Sequence, residues 1–255
     1  MATSRSRLRL TAIRRLREFV VGGHFEPGER ISELAAVELL DISRTPVRLA
    51  LQALAHEGLL EARPNGGFIV RDFSLDDFLD AIALRGVLEG TAARMAAERS
   101  SGERSTQGMR SILDQIDNLL ESAAADSDEL YEGYVELNKE FHAEMLGLAQ
   151  SPMLERSLAQ VTALPFASPS ALVKASLEQD RNRNVLLVAQ YQHYALLDAI
   201  TEGESARAAM VGQEHAQTAA DTLKLLSRKD DIERLVPGSN LLRWAGNVTR
   251  SRHRL

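Results

Sequence analysis

The sequence predicts a mainly α-helical protein, with an N-terminal winged helix-turn-helix followed by an all-α antiparallel bundle of six to seven helices. Three observations predict this class. The segment Ser-Arg-Thr-Pro, typical of the start of a helix, follows two segments with helical periodicity. Two short strand-like runs come after this helix. From Ser74 onward, apolar residues recur at helical spacing. The corresponding domains are residues 1–72, residues 73–230 and a basic C-terminal tail over 231–255.

The helix that begins at Ser43 has the features of a DNA-reading helix. The Ser43 hydroxyl is expected to cap its first turn, where Pro46 removes a backbone donor that lacks a partner in any helix. Arg44, Thr45 and Arg48 share one face, with the two arginines at i and i+4. The opposite face is apolar and is expected to pack inward, through Val47, Ala50, Leu51 and Leu54.

The segments before this helix complete a helix-turn-helix. Amphipathic patterns predict helices over residues 8–21 and 31–40, and Asp41 and Ile42 are expected to form the turn.

A wing is expected after the DNA-reading helix. Gly58 ends the helix, and the strand-like runs 59–62 and 68–70 are joined by a hairpin loop over 63–67, with Gly66 at its tip.

These residues resemble the GntR-type bacterial transcription regulators over nearly all of the first seventy positions. The resemblance implies that Arg30, Arg44 and Arg48 contact phosphates and base edges in the major groove, and that Gly66 approaches the minor groove. The matching residues are Pro27-Gly28-Glu29-Arg30, Glu33, Ser43-Arg44-Thr45-Pro46-Val47-Arg48, Ala50-Leu51, Leu54, Glu57-Gly58-Leu59 and Gly66-Gly67.

Ser43 and Thr45, at the start of the same helix as Arg44 and Arg48, are also expected to contact DNA. Two positions depart from the family pattern, because Asp41 replaces a turn glycine and Leu49 replaces a glutamate. The alternative for Arg44 and Arg48 is a solvated helix face without a DNA contact.

The chain from Ser74 onward is predicted to be all-helical. Ser74 and Asp77 resemble a capping box for the first helix of this domain. Helices are expected over residues 74–98, 107–122, 127–149, 152–163, 181–202 and 204–227.

This second domain resembles the FCD effector-binding domain of the FadR-like branch of the same regulators. The resemblance covers residues 75 to 227. It is carried by Arg85, Leu88-Glu89, Ala92-Ala93, Asn138, Phe141-His142, His193, Leu196-Leu197-Asp198-Ala199-Ile200, Ala208-Ala209-Met210 and His215.

His142, His193 and His215 lie on three different predicted helices among apolar neighbours, and Asn138 precedes His142 by one turn. Neutral imidazoles are good ligands for transition metals. The family resemblance implies an Asp, His, His, His set, so Asn138 supplies a weaker ligand than the family's carboxylate. These four residues predict a divalent transition metal site, with Zn or Ni favoured, and buried core histidines are the alternative.

Arg85 is a candidate for binding the carboxylate of an effector through its guanidinium fork. The alternative is a structural salt bridge with Glu89, one helical turn further along the chain.

Composition narrows the possible classes of protein. The chain has 255 residues, 44% hydrophobic, and no cysteine, which excludes disulfides and thiolate metal sites. The net charge is −6, yet residues 1–72 hold 11 Lys and Arg against 9 Asp and Glu, a net of +2. No apolar run suits a membrane span or a signal peptide, so a cytoplasmic protein that does not contact the membrane is expected.

Together these features predict a ligand-controlled transcriptional repressor, not an enzyme. Its partners would be a pseudo-palindromic double-stranded DNA operator, a second copy in a homodimer, and a small carboxylic or sugar acid effector. One alternative is a regulator whose metal is structural or is itself the signal. A more remote alternative is a metal-dependent hydrolase that uses the three histidines.

Overall fold

The computed structural model describes residues 4–122, 127–173, 183–227 and 232–243. The chain divides into two compact units. The first contains residues 1–78, 163–165 and 237–255, and the second contains residues 79–162 and 166–236.

The first unit is a winged helix-turn-helix, as the sequence predicts. Three helices pack on one another and carry a small antiparallel sheet of strand order β1-β3-β2. The elements are α1 (Ser4–Val21), β1 (Arg30–Ile31), α2 (Glu33–Leu40), α3 (Arg44–His56), β2 (Leu60–Ala62) and β3 (Phe68–Val70).

The turn between α2 and α3 explains how Asp41 replaces the usual glycine. Asp41 has φ 52° and ψ 44°, a left-handed conformation, and its backbone N–H donates to the carbonyl of Val37 at the end of α2. Aspartate tolerates this region better than most non-glycine residues. The turn therefore forms without a glycine.

Two local predictions were wrong. The second helix was expected from Ile31, but Ile31 is in β1, paired with Phe68 of β3, and α2 begins after Ser32, whose hydroxyl accepts from the backbone N–H of Ala35. Ser43 does precede α3, but its side chain makes no capping hydrogen bond. The serine cap is thus found at the start of α2, one helix earlier than the sequence pattern suggested.

A segment near the C-terminus belongs to the first unit. The backbone of Phe73 donates to the carbonyl of Leu241 (2.9 Å) and accepts from Arg243 N–H (2.8 Å). The side-chain amide of Asn240 donates to the carbonyl of Val20 (2.9 Å). Trp244 and the arginines of 250–254, which the sequence analysis placed in the tail, lie outside the described residues.

The second unit is helical throughout its described part. Its first helix begins in the first unit, where the expected capping box forms: Ser74 N–H donates to Asp77 Oδ2 (2.7 Å), and Asp77 N–H donates to Ser74 Oγ (3.1 Å). The helices are α4 (Leu75–Arg99), α5 (Glu103–Glu121), α6 (Ser127–Leu148), α7 (Pro152–Thr162), α8 (Arg183–Thr201), α9 (Ser205–Ser227) and α10 (Ile232–Leu235).

Glycines allow α4 and α9 to approach closely. A Cβ on Gly90 would lie 2.6 Å from the carbonyl oxygen of Ala209, and one on Gly212 would lie 2.9 Å from the Cα of Gly90. This contact sets Glu89 of α4 beside His215 of α9. None of the described helices is long and apolar enough to cross a membrane.

Candidate functional site

The exposed face of α3 carries the predicted DNA-reading residues. Arg44, Thr45 and Arg48 are exposed, whereas the four predicted inward residues are fully buried, namely Val47, Ala50, Leu51 and Leu54. Ser43 is also exposed beside this face, and its hydroxyl makes no capping hydrogen bond. The structure thus brings four of the predicted DNA-binding residues together at the N-terminal end of one helix.

Arg30 lies on the wing rather than on α3. Its Nη2 donates to the carbonyl of Gly66 (2.8 Å), and both Arg30 and the wing tip are exposed. Gly66 and Gly67 have φ values of 81° and 79°, a conformation that favours glycine. Arg30 therefore fastens the wing loop to the sheet while its guanidinium remains at the surface.

The second unit brings three of the predicted metal ligands into one buried cluster. His142 on α6, His193 on α8 and His215 on α9 have ring centroids 4.6 to 5.7 Å apart. One nitrogen of each lies within 4.8 Å of those of the other two. This convergence requires three helices and was not determined by spacing along any one of them.

Each histidine of the cluster has a polar neighbour at Nδ1. Nδ1 of His193 lies 3.2 Å from Gln190 Oε1, and Nδ1 of His215 lies 3.0 Å from Gln192 Oε1. Nδ1 of His142 lies 3.4 Å from Glu89 Oε1. The buried Nε2 atoms of His142 and His193 have no hydrogen-bond partner among the described residues, so these nitrogens are available to a bound ion.

The histidines of the cluster are neutral at physiological pH. Burial, with the nearby Arg85 cation, lowers the pKa of His142 to about 3. Burial, with His142, lowers the pKa of His215 to about 3, and burial holds the pKa of His193 well below 6.5. Neutral imidazole is the form that coordinates a metal.

Glu89 is a buried acid that sequence reasoning did not assign to the site. Its Oε2 lies 3.5 Å from Arg85 Nε, and both side chains are at most 2% exposed. Burial raises the pKa of Glu89, although Arg85 and His215 act to lower it. Neither carboxylate oxygen has a hydrogen-bond partner in the described part of the chain. Glu89 is therefore a buried acid beside the histidines whose oxygens are left to accept further hydrogen bonds.

Arg85 takes up the salt bridge that was the alternative to effector binding. Its Nη1 also donates to the carbonyls of Ala167 (3.1 Å) and Ser168 (2.7 Å). The same side chain lines an adjacent cavity of about 50 Å³. The salt bridge does not by itself exclude an effector contact, because a guanidinium carries five donors.

Asn138 also lines this cavity, with His215 and Tyr134. Its amide nitrogen donates to Ser170 Oγ (3.1 Å), which turns the amide oxygen away from Ser170. Tyr134, Asn138 and His142 follow one another at intervals of four residues on α6, and so share a face of that helix. The cavity is thus next to the histidine cluster.

The residues present fit a divalent transition metal ion. Three neutral imidazoles converge, three of their buried nitrogens have no hydrogen-bond partner within the described ranges, and an amide oxygen and a carboxylate lie nearby. Three imidazole ligands leave positions open for a further ligand.

Sequence reasoning missed Glu89, Gln190, Gln192 and Tyr134. Gln190 precedes His193 by three residues, a helical spacing that offered a signal. Gln192 meets His215 from another helix, and no spacing along the sequence indicates such a pair.

The fold defines a two-domain regulator, in which a winged helix-turn-helix is joined to a helical domain that holds the histidine cluster. Residues 8–70 match the bacterial regulatory proteins of the gntR family, and residues 80–218 match the FCD domain. The chain belongs to the GntR family and carries an FCD domain. The family is one of transcriptional regulators rather than enzymes.

Named transcriptional regulators are similar to this chain over part or most of its length. The Nta operon transcriptional regulator of Aminobacter aminovorans is 34% identical over 142 residues, 56% of this chain and 64% of that protein. The Uxu operon transcriptional regulator of Escherichia coli is 26% identical over 85% of this chain and 87% of its own length. The first alignment thus spans slightly less than two thirds of its relative.

Solved structures share the fold. Escherichia coli McbR/YncC superposes with a TM-score of 0.62 at 20% identity, over 89% of this chain and 100% of that one. Lar, which controls the expression of the Listeria monocytogenes agr system, superposes with a TM-score of 0.58 at 14% identity, over 89% of this chain and 99% of that one.

Proposed function

We propose that this chain is a cytoplasmic transcriptional repressor that binds a pseudo-palindromic DNA operator as a homodimer and is controlled by a small acid. The exposed row of Arg44, Thr45 and Arg48, opposite a fully buried face of α3, carries the proposal. An arginine in the major groove pairs bidentately with guanine or binds a phosphate. Arg30 and Gly66 present the wing to the neighbouring groove.

Exposed apolar side chains on the helical unit support the homodimer. Leu84 and Val87, one turn apart on α4, are each 51% exposed, and Met210 on α9 is 65% exposed. Apolar residues grouped on a surface favour association.

Light scattering should give twice the chain mass, and Val87→Asp should lower both the mass and operator affinity. A monomeric wild-type protein that still binds a palindromic duplex would contradict this part of the proposal.

The histidine cluster and cavity are the proposed effector site. His142, His193 and His215 would hold a divalent ion, Zn or Ni, with the amide oxygen of Asn138 as a further ligand. Such an ion supplies a Lewis-acidic position for a carboxylate oxygen. The side chains around it bury the effector's body, and the effector alters operator affinity only by the difference in its own affinity for the two states of the protein.

Metal analysis and duplex selection test the two halves of the proposal separately. The DNA duplexes that the protein selects from a random library should be pseudo-palindromic. The affinity of the protein for these duplexes should respond to an acid only when the protein is loaded with metal. His142→Ala should lose both the metal and the response, while His24→Ala, at an exposed position, should retain them.

The same titration distinguishes the alternatives. If metal alone changes operator affinity, the metal is the signal. If metal raises thermal stability but no acid changes operator affinity, the metal is structural. If no duplex is enriched over the library, the DNA-binding half of the proposal is wrong.

A further inference from the structure

Tyr134 presents a buried hydroxyl without a partner in the effector cavity. The side chain is 1% exposed and lines the cavity with Asn138 and His215. Its hydroxyl has no hydrogen-bond partner among the residues that the structure describes. Burial raises the pKa of this phenol, so it remains neutral and able to donate.

An unsatisfied buried hydroxyl lowers the stability of a fold, because the group has lost its hydrogen bonds to water without replacement. Tyr194 provides a comparison in the same domain. Its hydroxyl donates to Asp117 Oδ2 (2.7 Å). Tyr134 therefore differs from a tyrosine whose hydroxyl serves the fold, and its donor is available to a molecule in the cavity.

Much of the remaining cavity wall is aliphatic, formed by Leu172, Val173, Val185, Leu186 and Ala189. Thr218 and Thr222 also line it, but their hydroxyls already donate to Gln192 Oε1 (3.3 Å) and to the carbonyl of Thr218 (2.9 Å). The hydroxyl groups of a sugar acid would find few partners against these side chains, and burying an unpaired hydroxyl is costly. A methyl or methylene group would meet no such cost. The wall thus favours an aliphatic body.

The size of the cavity limits the ligand further. Its volume is about 50 Å³. Since one water-sized group requires roughly 10–15 Å³ of such volume, the cavity holds about three to five non-hydrogen groups.

We infer that the effector is a short aliphatic monocarboxylate of about two or three carbons, one of whose oxygens accepts a hydrogen bond from Tyr134. The inference rests on the proposed effector site and selects between the carboxylic and sugar acids that the sequence left open. Tyr134 is a specificity residue under this assignment, because it lines the cavity and its hydroxyl makes no hydrogen bond to any described residue.

Thermal shift and calorimetry on the metal-loaded full chain test the inference, with acetate, propionate and gluconate as probes. Acetate or propionate should raise the melting temperature, and gluconate at the same concentration should not. Tyr134→Phe should leave the ligand-free protein at least as stable as wild type, and should weaken binding of the stabilising acid at least tenfold. Tyr194→Phe, the matched control, should lower stability without changing that affinity.

Three results would overturn the inference. In the first, Tyr134→Phe destabilises the ligand-free protein and binds the acid as wild type does, which makes the hydroxyl structural. In the second, gluconate binds and the short acids do not, which leaves the effector site standing with a different ligand. In the third, no probe binds although the chain still selects an operator, which removes the monocarboxylate and leaves the DNA-binding proposal intact.

Discussion

The side-chain oxygen of Gln190 lies 3.2 Å from Nδ1 of His193. The amide nitrogen of this glutamine already donates to the carbonyl of Leu113 (3.2 Å) and to Asp117 Oδ1 (2.8 Å). Its oxygen must therefore face His193, and an amide oxygen only accepts. Nδ1 of His193 then carries the proton, and the lone pair is on Nε2, the nitrogen left without a partner.

Gln190→Ala should weaken metal binding by about 10- to 100-fold, because the imidazole loses the partner that fixes its tautomer and orientation. A competition titration with a chromophoric chelator measures the change. Gln217→Ala is the control, since Gln217 is on the exposed side of α9 and its amide nitrogen donates to Asp221 Oδ1. Equal metal affinity in the two variants would show that Gln190 does not orient His193.

The metal-free protein should lose stability as the pH falls from about 6.5 towards about 3. The pKa values of His142 and His215 are about 3 in the fold against 6.5 in the unfolded chain, so the unfolded chain binds more protons in this window. Each histidine contributes up to about 1.4 kcal/mol per pH unit. The raised pKa of Glu89 acts in the opposite direction above pH 4.5. It is a single group, whereas all three histidines of the cluster lower the stability on acidification.

Urea unfolding between pH 4 and pH 7 measures this slope. His215→Gln should flatten it, whereas His24→Gln at an exposed position should not. A wild-type free energy of unfolding that rises on acidification would contradict the burial of neutral histidines.

Arg44→Ala and Arg48→Ala should each lower operator affinity without changing the melting temperature, because both side chains are exposed. Loss of a bidentate base contact costs about 1–3 kcal/mol and relaxes sequence preference, whereas loss of a phosphate contact lowers the salt slope by about 0.9. Titrations at several salt concentrations distinguish the two roles. Arg104→Ala, on the surface of α5, is the control and should bind as wild type.

Gly90→Ala should destabilise the helical unit by about 1–3 kcal/mol, because its Cβ would lie 2.6 Å from the Ala209 carbonyl and push α4 from α9. The same movement separates Glu89 from His215, so metal affinity should fall as well. Thermal unfolding and metal titration are the measurements. Gly147→Ala meets nothing within 4 Å and should be neutral or slightly stabilising. Equal effects of the two substitutions would exclude close packing at Gly90.

The sequence predicted best what depends on local periodicity. The buried face of α3 and the capping box at Ser74 follow from spacing and side-chain chemistry, and the structure contains both. Ile31 was misassigned because its strand pairs with Phe68, a partner 37 positions away that no local pattern reveals.

The site was predictable only in part, for the same reason. Resemblance identified the three histidines, but the groups that orient them come from other helices. Gln192 reaches His215 across a helix pair, and Glu89 reaches His142 only because α4 packs closely enough on its neighbours. Tyr134 carries no sequence signal that separates it from a tyrosine with a satisfied hydroxyl.

The backbone bonds between Phe73 and residues 241–243 have a consequence for how the protein is made. The winged helix-turn-helix is assembled from segments on both sides of the helical domain, and the buried Leu241 and Leu242 are synthesised after that domain. During synthesis, the DNA-binding unit is therefore incomplete until the whole helical domain has left the ribosome. A chimera that exchanges effector domains between such regulators must be joined at two places, near residues 78 and 237. A single junction after the wing would remove the segment after residue 237 from the DNA-binding unit.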